Sequence, residues 1–130
     1  MHNILFVCVE NSCRSQMAEG FGKQLGQGLV AAYSSGSRPS GKVNENAVLA
    51  MQGVGYDLTK HRSKSLQDIP QIQYDYVITM GCGDACPHIQ SHVREDWDIP
   101  DPKHMEMDQF NEIRDVIKSK VKQLIDGLRE

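Results

Sequence analysis

Cys8 and Arg14 stand with five residues between them, and a hydroxyl, Ser15, directly follows the arginine. A thiol, a guanidinium and a hydroxyl at this spacing are the parts of a site that attacks a tetrahedral oxyanion. The run Cys8-Val9-Glu10-Asn11-Ser12-Cys13-Arg14-Ser15 lies between a β-favouring stretch and the start of a helical pattern. A loop of this length can curl until its backbone N–H groups converge on one anion, helped by the helix dipole. Val9, Glu10, Asn11, Ser12, Cys13 and Arg14 are therefore the expected oxyanion holders, and Arg14 adds a planar fork for two oxygens. The same positive field favours a Cys8 thiolate, since cysteines so placed titrate at about 3.5–7.5 against roughly 8.5 when free. Ser15 is expected to donate a further hydrogen bond to that sulfur. A plainer reading makes Cys8 the buried end of a strand; it leaves the arginine and hydroxyl at this spacing unexplained.

The chain carries three more cysteines, Cys13, Cys82 and Cys86. Ile4–Val9 is too short to span a bilayer and lacks a basic leader, so a cytoplasmic location is expected. Thiols stay reduced there, and catalysis, redox exchange or metal binding are then more natural than structural bridges. Cys82 and Cys86 with His88 and His92 also admit a zinc reading, but the spacing is crowded and no second knuckle supports it. Cys13 reads as a small hydrophobe at the back of the loop, able to pair with Cys8 under oxidation. Glu10 is odd in an anion-binding turn and is expected to point to solvent. The formal charge of −3 argues against nucleic acid or anionic membranes as partners. Any anion site must be local.

The elements that position these residues follow from periodicity. Residues 3–9 form a continuous β-favouring run, and Met17, Ala18, Phe21 and Leu25 then step at helical spacing toward Gly26 or Gly28. Leu29–Ser35 reads as a second strand. Asn44 is a natural N-cap for a helix running through Val54, with Gly55 as its C-cap glycine. Tyr74–Met80 reads as a third strand, and a fourth is expected near Val93–Trp97. Phe110, Ile113, Ile117, Val121, Leu124 and Leu128 mark a long amphipathic closing helix, and with Trp97 they read as core. Strands alternating with helices imply an α/β fold with a parallel sheet covered on both faces. Ligands in such sheets sit beyond the carboxyl ends of the strands, where the Cys8 turn falls. With 130 residues, 39% of them hydrophobic, a single domain over 1–130 and one core are expected.

Asn-Ser-Cys-Arg-Ser-Gln-Met-Ala-Glu-Gly at 11–20, entered through Cys8, resembles the signature of arsenate reductases of the thioredoxin-coupled class, built on the low-molecular-weight protein tyrosine phosphatase fold. The resemblance continues through residues 33–36, 57–61, 77–80 and 95–102. It implies a four-stranded parallel sheet flanked by helices, in agreement with the pattern above. It implies reduction of arsenate to arsenite, with phosphate as competitor and no organic cofactor or metal, by a monomer. Asp101 matches the family's acid, which assists departure of an oxygen, a task suited to a carboxyl whose pKa is raised by burial or nearby anions. His61 is then expected to be structural. Cys82 and Cys86, in a glycine-containing loop after the third strand, match a relay in which Cys82 attacks Cys8 and Cys86 resolves the disulfide. Relatives place more residues between the two loop cysteines, and the first of them stands where Gly81 is here. The reductant is accordingly thioredoxin or a glutaredoxin-like protein. A phosphatase hydrolysing phosphomonoesters is the alternative enzyme, in which Cys82 and Cys86 are bystanders.

One departure concerns a cation. Some reductases of this type hold potassium beside the anion loop, using a threonine and an aspartate after the family histidine. Here those positions carry Arg62 and Lys64, while Asn11, Glu19 and Ser34 stand where the remaining ligands come from. Fixed positive charges repel a hard cation. Arg62 or Lys64 is expected to reach Glu19 in its place.

Overall fold

A computed structural model describes residues 1–81 and 89–129. Strand β1 (His2–Cys8) leads into helix α1 (Arg14–Leu25) and strand β2 (Val30–Gly36). Helix α2 (Glu45–Gln52) and a 3₁₀ turn (Leu58–Lys60) follow, then β3 (Tyr74–Thr79), β4 (Ser91–Asp96) and the long α3 (Met107–Leu128). The four strands form one parallel sheet in the order β2-β1-β3-β4. The expected sheet is the observed one, with boundaries shifted by a residue or two.

Alternation along β1 divides the interior. Ile4, Phe6 and Cys8 face a core built with Met17, Ala18 and Phe21 of α1, Ala47, Ala50 and Met51 of α2, and Phe110, Ile117, Val121 and Ile125 of α3. Trp97 joins this core against Phe6, with ring centroids 6.0 Å apart. Leu5 and Val7 face the other way, packing with Ile69, Tyr74 and Val77. Because β1 is buried on both faces and paired on both edges, its last residue is held with little freedom. That residue is Cys8.

Three helix ends matter for the site. Asn44 caps α2, accepting from the Asn46 N–H at 2.8 Å. The regular helix stops at Gln52, but Gly55 still acts as its terminator. It has φ +82°, its N–H donates to Gln52 O, and the next N–H, of Tyr56, reaches back to Met51 O, a Schellman arrangement. Helix α1, by contrast, begins at Arg14 with no side-chain cap and no acidic residue in its first turn. Among the described residues, no capping side chain competes for its opening N–H groups. Among the described residues, no helix is long and apolar enough to cross a membrane.

Candidate active site

The turn after β1 is held from outside by its carbonyls. Ser37 N–H donates to Cys8 O, Arg38 N–H to Val9 O, Ser40 N–H to Glu10 O, and Asn44 N–H to Ser12 O, at 2.8–3.2 Å. In a trans peptide the following N–H points opposite to its carbonyl. The N–H groups of Val9, Glu10, Asn11 and Cys13 are thereby turned away from the 37–44 segment. Asn11 makes the bend in the left-handed region, φ +52°, which asparagine tolerates. Gly36 lets β2 approach: a Cβ there would lie 2.6 Å from Val9 O and 2.9 Å from Asn11 N.

Cys8 is 3% exposed at the bottom of the loop. Its Sγ lies 2.8 Å from Ser15 Oγ and accepts the Asn11 N–H at 3.2 Å. Asn11 Nδ2 donates to Ser15 Oγ at 2.7 Å, which leaves the serine proton free for the sulfur. Both contacts stabilise negative charge on Cys8. The bend itself is braced from behind. Tyr56 OH bonds His61 Nε2 at 2.7 Å, His61 Nδ1 bonds Gln16 Oε1 at 2.9 Å, and Gln16 Nε2 donates to both Asn11 oxygens at 2.8 and 3.1 Å. His61 is therefore a brace, as expected of it. Burial pushes its imidazole down to about 4 despite the opposing pull of Glu19.

Arg14 faces Cys8 across a cavity of about 20 Å³ lined by Cys8, Val9, Glu10, Ser12, Cys13, Arg14 and Asp101. Its Nη1 donates to Ile99 O at 3.0 Å, and its Nη2 lies 3.8 Å from Asp101 Oδ2. Gly81, φ +77°, comes so close that a Cβ there would collide with Arg14 Nη1. Asp101 thus reaches the anion cavity, with its side chain 47% exposed. It rides an exposed loop and also accepts the Lys103 N–H at 3.1 Å, an ordinary turn contact. Cys13 is 3% exposed, and burial pushes its thiol up to about 12, so it packs as a neutral hydrophobe.

One expectation fails. Glu10 does not point freely to solvent: its carboxylate accepts two bonds from Lys103 Nζ, at 2.8 and 3.1 Å. The partner lies on a different loop, 93 residues along the chain, and nothing local in the sequence announces it. Cys82, Cys86 and His88 lie outside the described residues, so the relay and the zinc reading have no geometry here.

The model for low molecular weight phosphotyrosine protein phosphatase matches residues 3–130. The chain belongs to this family. Its relatives include arsenate reductases. It is 38% identical over 128 residues to the glutaredoxin arsenate reductase of Synechocystis sp., covering 96% of this chain and 97% of that one. It is 42% identical over 120 residues to the arsenate reductase of Staphylococcus aureus, covering 88% and 89%. Among solved structures, an arsenate reductase in the phosphate binding state superposes with a TM-score of 0.90 at 37% identity, over 98% of this chain and 99% of that one. The resemblance read from residues 11–20 is borne out.

Behind the loop, the residues present do not fit a potassium ion. Lys64 Nζ lies 3.4 Å from Glu19 Oε1 and donates to Arg62 O at 3.1 Å, while its backbone N–H donates to Asn11 Oδ1 at 2.8 Å. Of the two expected cations, Lys64 supplies the ammonium and Arg62 only its carbonyl. A third, Lys23, comes closest to Glu19, at 2.7 Å. Its spacing of four residues from Glu19 on α1 was the available signal. Burial pushes the Glu19 carboxyl up, but Lys64, His61, Lys23 and Ser34 together outweigh it and hold it below the ordinary carboxylate range.

Proposed function

We propose that the protein is an arsenate reductase in which Cys8 is the nucleophile. The carrying observation is the Cys8 sulfur, with Ser15 Oγ at 2.8 Å and the Asn11 N–H at 3.2 Å, facing Arg14 at an uncapped helix start. Arsenate enters with its oxygens on the Arg14 fork and the loop N–H groups. The Cys8 thiolate attacks arsenic, one arsenic–oxygen bond breaks, and Asp101 protonates the departing oxygen. The Cys82 thiolate then attacks the Cys8 sulfur. The sulfur–arsenic bond breaks with its electron pair staying on arsenic, which falls from As(V) to As(III) and leaves as arsenite. Two thiols have become the Cys8–Cys82 disulfide, so the electrons balance. Cys86 attacks Cys82, frees Cys8, and presents a Cys82–Cys86 disulfide to the reductant.

The small cavity and its surroundings support an inorganic oxyanion over an aryl phosphate. Among the described residues, the neighbouring recess is lined by polar and charged side chains, Glu10, Ser12, Lys42, Asn44, Glu45 and Lys103 among them, with no aromatic wall for a tyrosine ring. Phosphate competes for the loop, and phosphomonoester hydrolysis is a weak side activity. The reductant is a glutaredoxin-like protein or thioredoxin, and the enzyme acts as a cytoplasmic, single-domain monomer. The test is arsenate-dependent NADPH oxidation with glutaredoxin and thioredoxin systems supplied separately. One of the two should sustain turnover. Rapid aryl phosphate hydrolysis with no arsenate reduction in either system would replace this reading with the phosphatase one.

A further inference from the structure

A carboxylate in an anion-binding turn repels the substrate unless something neutralises it. Glu10 is such a group, and Lys103 answers it with two contacts at 2.8 and 3.1 Å, both side chains being about one-third exposed. Lys103 stands two residues after Asp101 and donates its backbone N–H to Asp101 Oδ1 at 3.1 Å. One residue therefore grips the nucleophile's loop with its ammonium and the acid's carboxylate with its amide. The second tie between these loops is Arg14 Nη1 on Ile99 O. Between these ties the chain 99–103 carries Asp101, whose half-exposed side chain lies 3.8 Å from Arg14 Nη2. Glu10 lines both the cavity around Cys8 and the larger recess beside it, so the ion pair stands on the rim over the reacting atoms.

We propose that the Glu10–Lys103 ion pair is a latch that holds the Asp101 loop over the Cys8 loop, which makes Lys103 and Glu10 positioning residues for the acid. This rests on the reading of Asp101 as proton donor. The latch removes two obstacles at once. It fixes the aim of an exposed carboxyl, and it cancels a negative charge on the path of an anionic substrate. Neither side chain touches the arsenate in this scheme, and their effect passes through Asp101.

Charge alone and latching make opposite demands. If Lys103 merely attracts the anion, Lys103→Met raises KM, Glu10→Gln lowers it, and kcat is unchanged in both. A latch instead requires both variants to lower kcat, by about tenfold, since the contribution of a well-aimed general acid is about 10²–10⁴-fold and only its aim is lost. The decisive experiment places Lys103→Met in wild-type and Asp101→Asn backgrounds and measures kcat for arsenate reduction at saturating reductant. A positioning residue has nothing to position once the acid is gone, so the second background should show less than about a twofold further loss. The charge-reversed pair, Glu10→Lys with Lys103→Glu, should recover kcat to within about threefold of wild type. An equal loss in both backgrounds, or an effect confined to KM, would overturn the latch while leaving Asp101 as the acid. Full activity in Asp101→Asn alone would remove the acid and the latch together.

Discussion

At the scale of single residues, the anion site depends on shape as much as on charge. Arg14 presents its planar group between Ile99 O and Asp101. A lysine would keep the charge and lose the fork. Arg14→Lys should therefore lower kcat/KM for arsenate by about 10²–10³-fold, the cost of removing one oxyanion donor elsewhere. Steady-state kinetics with phosphate inhibition measured alongside would check it, and an unchanged phosphate affinity would contradict it. His61 carries a different expectation. Its ordinary value of 6.5 is lowered to about 4 by burial, so the folded protein refuses a proton that the unfolded chain accepts. Its contribution to stability is complete above about pH 6.5 and is lost as pH falls toward 4, amounting to about 3 kcal/mol. His61→Gln should flatten the decline of Tm between pH 7 and 4.5, and an unchanged slope would show that other groups cause it. These residues were unequally legible in the sequence. Cys8, Arg14 and Ser15 announce themselves because the loop's spacing is local. Glu10 was misread because Lys103 meets it through the fold, and spacing carries no sign of such a pair.

At the scale of elements, the strand and helix pattern carried most of what positions the site. The continuous run of β1, the Asn44 cap and the period of α3 are local signals, and each landed within a residue or two. The fourth strand was harder to see because β4 is an edge strand, largely exposed, with no alternation of buried side chains. Two joints between elements yield tests. Gly81 closes β3 with φ +77° and leaves room for the Arg14 guanidinium. Gly81→Ala would adopt a conformation costing roughly 1–2 kcal/mol for an L-residue and would push against Arg14. Arsenate kcat/KM should fall about tenfold or more, beyond what the modest loss of Tm explains, since a 1 Å misplacement costs about 10²-fold. Unaltered kinetics would show that Arg14 has another resting place. The second joint is the Lys64–Glu19 contact behind the loop, at 3.4 Å. With an ammonium already there, rate and Tm should be equal in sodium and potassium salts at one ionic strength. A potassium-specific gain in either would contradict the assignment. Lys64→Ala should lower Tm, since it leaves Glu19, 4% exposed, short of a cation.

At the scale of the whole molecule, every described residue placed in the mechanism lies at the carboxyl edge of the parallel sheet, as such sheets dictate. Cys8 ends β1, Gly36 ends β2, Gly81 follows β3, and the Asp101 loop follows β4. The sequence carried this arrangement because the succession of strands along the chain and the position of the motif are both local patterns. It could not carry the brace through Gln16 and His61 or the latch through Lys103, which exist only once distant segments meet. The claim that everything else serves is that Cys8 and Cys82 together deliver two electrons to arsenic. The most direct measurement uses fully reduced Cys86→Ser protein mixed with arsenate and no external reductant. The expected result is one equivalent of arsenite per chain and a Cys8–Cys82 disulfide identified by peptide mass mapping. Release of no arsenite, or an equal yield from Cys8→Ser protein, would contradict the account.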